Sequence, residues 1–435
     1  MRTTRPVNKR YAKPAPIQIR WKKVLKLPIL ASVIVLLLFG AKFALDQNDL
    51  RMISSRTAQY NQELLDYQNA HPNEVLLKKI IAESDKLAAG YDYDKAIELL
   101  KSNSILQTED EVLQRITSFQ NEKNALIAYT KEIPILFFHI LISDPKIAFG
   151  KTSHNVLRYK SRYVTTYEFK EIINQMLERE YVLVDFFDVF EEVNGIMARK
   201  ELKLPTGKLP FILMEDEMDY SDPMPLDGFA RGLVLENGDI VARVLTTGGI
   251  EKSSDGDLVP IVENFIKEHP EFSYRGARGI LSLTGFAGTL GYRLSNKADI
   301  ANAKAVATAL KEKGWIFGCT SFNDLADTYV NNPTAAKITE DLTKWDAIIK
   351  PIVGPSTLFI SPYGNILTGQ NLLAIRNFGY RAYFTSDNEL NTYSSEGMLF
   401  LPRIFIEGES FNSNAAYLNA NFFNVDEVLD PVRAK

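Results

Sequence analysis

Two adjacent acids, Asp216 and Glu217, close the apolar run LPFILMEDEMDY, and by residue type they are the side chains best suited to move a proton or hold a cation. A carboxylate at the end of a buried strand can serve as a base. Two of them can also share acid and nucleophile roles, as in glycoside hydrolysis. Strand alternation argues against that use, because neighbours on one strand point to opposite faces. The chain has only four histidines, His71, His139, His154 and His269, and none after residue 269. His71 lies in a polar helical stretch, where solvation is the simplest reading. His269 ends a helix in KEHPEF, where it complements the helix dipole. His154 follows a strand and could face a cleft, and His139 ends the strand IPILFFHIL. The single cysteine, Cys319, forbids an intrachain disulfide and a thiolate cage. With no histidine nearby and an apolar strand around it, it reads as a buried inert thiol. Gly285, Gly288 and Gly291 do not follow the spacing of a nucleotide loop and read as a loop shaping a cleft. Tyr292 and Arg293, with Tyr363 in SPYGN, are aromatic and guanidinium groups suited to stacking on sugars or capturing acidic ones; packing between strand ends would use them equally well.

The elements that must position these residues follow from periodicity. From Ile133 onward, short apolar runs (IPILFFHIL, YVLVDF, PFILMED, GILSLTG, WIFGCTS, TLFISPYG, RAYFTSD, LFLPRIFIEG) alternate with amphipathic helices such as DIANAKAVATALKEKG. Strand, helix and strand repeated in this way predict a mainly parallel sheet, open or closed into a barrel, with functional residues where strands end and loops begin. Thr165 and Glu168 have the spacing of a capping box, and Asn237-Gly238 predicts a hairpin. Before Ile133 the pattern is helical: Glu74–Gly90, closed by a glycine C-cap, then Tyr91–Ser102 and Glu109–Tyr129. A single helical hairpin is too short for a repeat array, so residues 47–131 read as a stalk that lifts a domain off a surface; a partner-binding hairpin is the alternative.

Residues 1–26 carry nine Lys or Arg and no acid, and the rest of the chain has 41 basic against 54 acidic residues. Behind that tail runs LPILASVIVLLLFGAKFAL, long enough to span a bilayer if Lys42 snorkels. Positive-inside topology, rather than nucleic-acid binding, explains the tail and predicts a single-pass anchor over residues 27–46 with the C-terminal part outside the cytoplasm. A cleaved signal peptide is the alternative, since Gly40, Ala41 and Ala44 lie near the end of the run. A hydrophobic share of 46% and a charged share of 24% exclude a disordered chain.

In this order the segments resemble the NodB-homology polysaccharide deacetylases, metal-dependent carbohydrate esterases, over roughly Ile133 to Gly408. IPILFFHIL resembles the opening P-V-L-x-Y-H strand, and LPFILMEDEMDY the strand ending in T-F-D-D. GILSLTGFAGTLGYR resembles L-T-G-Y-x-G-x-x-G-Y-R, KEKGWIFGCTSFNDL resembles G-W-E-F-A-S-H-T-x-x-H, and FISPYGN resembles Y-P-Y-G. The resemblance implies a distorted (β/α) barrel over residues 132–435. It also implies a metal held by one Asp and two His, a second Asp as base, and a late His as acid. On this chain the base falls at Asp216 and the metal positions at Glu217, Thr320 and Asp324. Both metal histidines are therefore lost, and no histidine remains for the late acid. His139 matches the family's strand-end histidine and, with Tyr292, Arg293 and Tyr363, is a substrate-binding candidate.

The resulting expectation is a cell-membrane protein with its C-terminal domain outside the cytoplasm, acting on or binding a cell-wall or capsular polysaccharide. Its metal site would be degraded and no cofactor needed. Two other readings stay open. One is an active hydrolase whose carboxylate cluster of Asp216, Glu217 and Asp324 suits Mn, Ca or Mg better than the family's Zn. The other is an envelope scaffold that binds a protein partner through the stalk.

Overall fold

The computed structural model describes Gln62, Ala70 and residues 72–102, 107–246, 248–386 and 391–433. The basic tail and the apolar run at 27–45 lie outside the described residues, as does His71. Among the described residues no helix is long and apolar enough to cross a membrane.

The chain is mixed α/β and is organised around one largely parallel sheet. Its strands are β1 (Ile135–His139), β2 (Tyr181–Leu183), β3 (Leu209–Asp216), β4 (Ile280–Leu283), β5 (Ile316–Cys319), β6 (Leu358–Ile360), β7 (Ala382–Thr385), β8 (Tyr393–Ser395), β9 (Met398–Pro402) and β10 (Ile404–Phe405). Parallel pairing runs β9-β7-β6-β5-β4-β3-β1-β10, β2 adds to β3, and β8 is an antiparallel edge on β9. β9 and β10 lie at opposite ends of this order, yet only Arg403 separates them in sequence. The continuous segment 398–405 therefore pairs with β7 through its first half and with β1 through its second, and the sheet closes on itself at Arg403. LFLPRIFIEG reads as one strand in sequence; the structure splits it at Arg403.

Helices between the strands cover the outside of this ring. Thr166–Glu178 opens with both halves of the Thr165/Glu168 capping box in place, and Lys297–Glu312 opens on an Asn296 side chain that accepts from Asp299 N. Each buries an apolar stripe, such as Phe169, Ile172, Ile173 and Met176 in the first. Asn237 and Gly238 take left-handed backbones in the turn of the predicted hairpin, which is followed by a third antiparallel strand, Gly249–Ser253.

From Lys79 to the C-terminus the described chain forms one compact unit, so the predicted stalk helices within it pack on the barrel. Arg275 N donates to Gly90 O at 2.6 Å, Tyr91 Oη donates to Glu271 O at 2.9 Å, and the Tyr91 and Tyr274 rings stack at 6.2 Å. The helix ending at Ala89 is closed differently from the expected glycine cap. Tyr91 takes the left-handed backbone (φ 65°), and the missing side chain of Gly90 lets the helix end lie against Ser273 O, 3.3 Å from where a Cβ would stand.

Candidate functional site

Parallel strands place their C-terminal ends at one rim, where the side chains with chemistry collect. His139 ends β1 and Asp216 ends β3, and the two are direct register partners. Asp216 is nearly buried, and both its oxygens accept from Arg403 Nη1, at 3.1 and 2.9 Å. Arg403 is 2% exposed. Its Nε donates to Thr385 O at 3.1 Å, and its guanidinium lies 4.0 Å over the Phe137 ring.

Strand alternation would send Glu217 away from Asp216. The backbone at Glu217 is instead left-handed (φ 63°), and its carboxylate turns back to the rim. There it accepts from Tyr163 Oη at 2.7 Å, with Arg158 4.0 Å and His139 Nδ1 3.9 Å away. Burial lowers the pKa of His139 and holds its ring neutral. Its Nδ1 is fully buried and has no hydrogen-bond partner.

The loop after β5 brings in Asp324. Ser321 (φ 72°) and Asp324 (φ 48°) are both left-handed, and the loop is pinned by buried Asp341, which accepts from Phe322 N at 2.7 Å, Asn323 N at 2.9 Å and Tyr329 Oη at 2.9 Å. Burial, together with the charges of Glu217 and Asp216, raises the Asp324 carboxyl to about 7. Asp219 is also raised to about 7, by burial first and then by Glu217. Glu407, beyond β10, rises to about 7 through burial although Arg162 Nε stands 3.2 Å away.

The residues predicted from sequence separate into two groups. Asp216, Glu217, His139 and Asp324 share the rim and interact electrostatically. Tyr363 joins them: it is 64% exposed, and its Oη donates to Asp324 O at 3.0 Å. Thr320 lies at the end of β5 with its hydroxyl hydrogen-bonded to Ser282. Arg293 is half-exposed beside Asp219, but it donates to the carbonyls of Ala287, Asp219 and Tyr220 and so staples two loops. Tyr292 is buried away from the rim, donates to Leu233 O at 3.0 Å and carries Arg243 over its ring. Cys319 is buried, and burial pushes its thiol up. His154 Nδ1 is 2.8 Å from Asp227, which also holds Tyr159 Oη. Sequence reasoning missed Arg403, Tyr163, Asp219 and Asp341. Only Arg403 left a signal, as a lone charge in an apolar strand.

The donor set does not fit the metal that the resemblance implies. Asp216 has its counter-cation in Arg403, Glu217 is bound by Tyr163, and the Thr320 hydroxyl is committed to Ser282. Among the described residues, no three His, Cys, Asp or Glu side chains are placed to hold an ion.

Beneath the rim, on the helix-facing side of β3, Glu215 is completely buried against Asp257. Asp257 accepts from Leu141 N at 3.0 Å and from Tyr220 Oη at 2.7 Å, which ties down the loop carrying Glu217 and Asp219. Burial and the Asp257 charge hold the Glu215 pKa well above its ordinary 4.5, so the folded chain keeps a proton that the unfolded chain releases above that value. Stability from this group is therefore full below pH 4.5 and declines as pH rises toward the folded pKa, by at most about 1.4 kcal/mol per pH unit. Glu215→Gln keeps shape and donor but not the titration. Its unfolding free energy in urea is expected to exceed that of the parent by a margin that grows from pH 5 to pH 8. A constant margin would rule out a neutral Glu215.

No protein-family model matches this sequence, and no curated protein sequence does. Among solved structures, the chain is similar to IcaB from Ammonifex degensii, with a TM-score of 0.39 and 13% identity over 66% of this chain and 97% of that one. It is similar to the Streptococcus pyogenes deacetylase PplD in complex with acetate, at 0.39 and 13% over 64% and 94%. It is also similar to a de-N-acetylase from Aggregatibacter actinomycetemcomitans, at 0.39 and 11% over 64% and 96%.

Proposed function

We propose that this is a membrane-anchored, extracytoplasmic, polysaccharide-deacetylase-like protein that binds a cell-wall or capsular glycan at the barrel rim without the family's metal chemistry. The observation that carries this reading is the donor set at the rim: the acid aligned with the family's base is paired with Arg403, Tyr163 holds Glu217, and Thr320, bonded to Ser282, stands where the family has a metal histidine. An exposed aromatic, Tyr363, beside hydrogen-bonding carboxylates suits a sugar ring. The anchor rests on the basic tail and the apolar run behind it.

Calorimetric titration with a panel of neutral, amine-bearing and acidic oligosaccharides tests the reading. At least one is expected to bind, with Tyr363→Ala weakening it roughly fivefold, the scale of one aromatic contact. No binding across the panel sinks it. The mutual repulsion of Glu217, Asp219 and Asp324 favours a second reading, an atypical hard-metal hydrolase, since an ion would relieve it. Elemental analysis separates the two: stoichiometric metal that disappears in Asp324→Asn supports the hydrolase.

A further inference from the structure

A cavity of about 470 Å³ lies at the end of the barrel away from the rim, within the size range of sites that hold small molecules. Trp315, Thr357 and Tyr380 stand just before β5, β6 and β7, which are neighbouring parallel strands, so the cavity sits at their N-terminal ends. The hairpin of strands Phe190–Val193 and Ile196–Arg199 adds Glu192 and Met197 to its lining, and Phe187 stands just ahead of that hairpin. The walls are mainly apolar and rich in rings. Trp315, Phe317, Trp345 and Tyr380 are each at most 6% exposed, so packing fixes their planes, whereas Phe187 is 43% exposed and free to meet a guest from the solvent side.

The charges around this cavity do not cancel. Asp346 pairs with Lys350 at 2.7 Å, and Glu192 pairs with Arg381 at 3.5 Å. Lys311, in the last turn of the helix Lys297–Glu312, also lines the cavity and makes no ion pair among the described residues. Its Nζ lies 3.7 Å from where a Gly354 Cβ would stand, between the wall residues Val353 and Pro355. One exposed ammonium group is thus left without a counter-ion beside an aromatic-lined space.

We propose that this cavity binds a small aromatic carboxylate, with its ring among the aromatic walls and its carboxylate paired with Lys311. Aromatic walls favour a flat ring over an aliphatic chain of equal area, because offset and edge-to-face contacts add to simple burial. The unmatched ammonium selects an anion over a neutral or cationic molecule of the same shape. The site shares no residue with the rim, so it stands or falls apart from the glycan-binding reading.

Titration calorimetry of the full chain in lipid nanodiscs, with empty nanodiscs as the blank, tests the proposal at neutral pH with 2-naphthylacetate, 2-naphthylacetamide, 2-naphthylethylamine and octanoate. The naphthyl acid is expected to bind saturably and about fivefold more tightly than its amide, the gain of one charge-assisted over one neutral hydrogen bond at an exposed lysine. The amine should bind least, and added salt should shrink the acid's advantage. Lys311→Met keeps most of the stem and should bring acid and amide together. Phe187→Ala, at an exposed position, should weaken both, and Tyr363→Ala, at the rim, should change neither. No saturable binding of the acid, equal affinity for acid and amide in the parent, or an advantage that survives Lys311→Met overturns the proposal. Loss of the acid in Tyr363→Ala, or octanoate binding as tightly as the naphthyl acid, overturns it as well.

Discussion

Replacing Arg403 with alanine is expected to destabilise the fold by about 3–5 kcal/mol, the cost of removing one partner from a buried ion pair. The side chains of Arg403 and Asp216 are 2% and 10% exposed, so the surviving carboxylate would stay in a poorly solvated place with no counter-charge. The position raises the stake, because Arg403 joins β9 to β10 where the sheet closes, and its Nε also holds the Thr385 carbonyl. The double variant Arg403→Met/Asp216→Asn removes both charges and is expected to recover most of the loss, since a buried pair replaced by neutral groups is often close to neutral. Urea unfolding of the parent, Arg403→Met, Asp216→Asn and the double variant measures the coupling. Additive single effects would show that the pair is solvated.

The second large effect is expected at Arg433→Ala, again about 3–5 kcal/mol. Glu168 is completely buried, and Arg433 grips it through Nε at 2.5 Å and Nη2 at 2.7 Å. The same guanidinium donates to Lys160 O at 2.6 Å and Tyr163 O at 2.7 Å, and lies over the Phe149 ring. Glu168 also closes the capping box by accepting from Thr165 N, so an uncompensated charge there unsettles the start of a core-facing helix. Tyr163 links this cluster to the rim, because its phenol holds Glu217. Arg433→Lys keeps the charge but not the two-pronged geometry and should fall between parent and alanine. Thermal unfolding ranks the three; a lysine variant as unstable as alanine would mean that geometry, rather than charge, is the whole effect.

The rim was only partly legible. Asp216, Glu217, His139 and Asp324 stood out because acids and histidines at the ends of apolar runs are uncommon and strand ends gather at one face. Tyr292 and Tyr363 looked alike in sequence, each an aromatic beside glycine, yet one is buried under a hairpin and the other is exposed beside Asp324. That difference depends on which strand each loop follows. Rigid strand alternation failed at Glu217, because a single left-handed residue turned the side chain around, and nothing about a glutamate announces a positive φ.

Alternation of apolar runs with amphipathic helices was enough to determine the α/β class, the parallel strands and several helix caps, because burial periodicity and capping are local consequences of residue order. Closure of the sheet, the pairing of Arg403 with Asp216, and the packing of the helices from Lys79 onward against the barrel were decided only in three dimensions. Each joins groups far apart in the chain, 187 residues in the case of that pair. Their energies come from desolvation and charge at close range, which sequence separation does not encode.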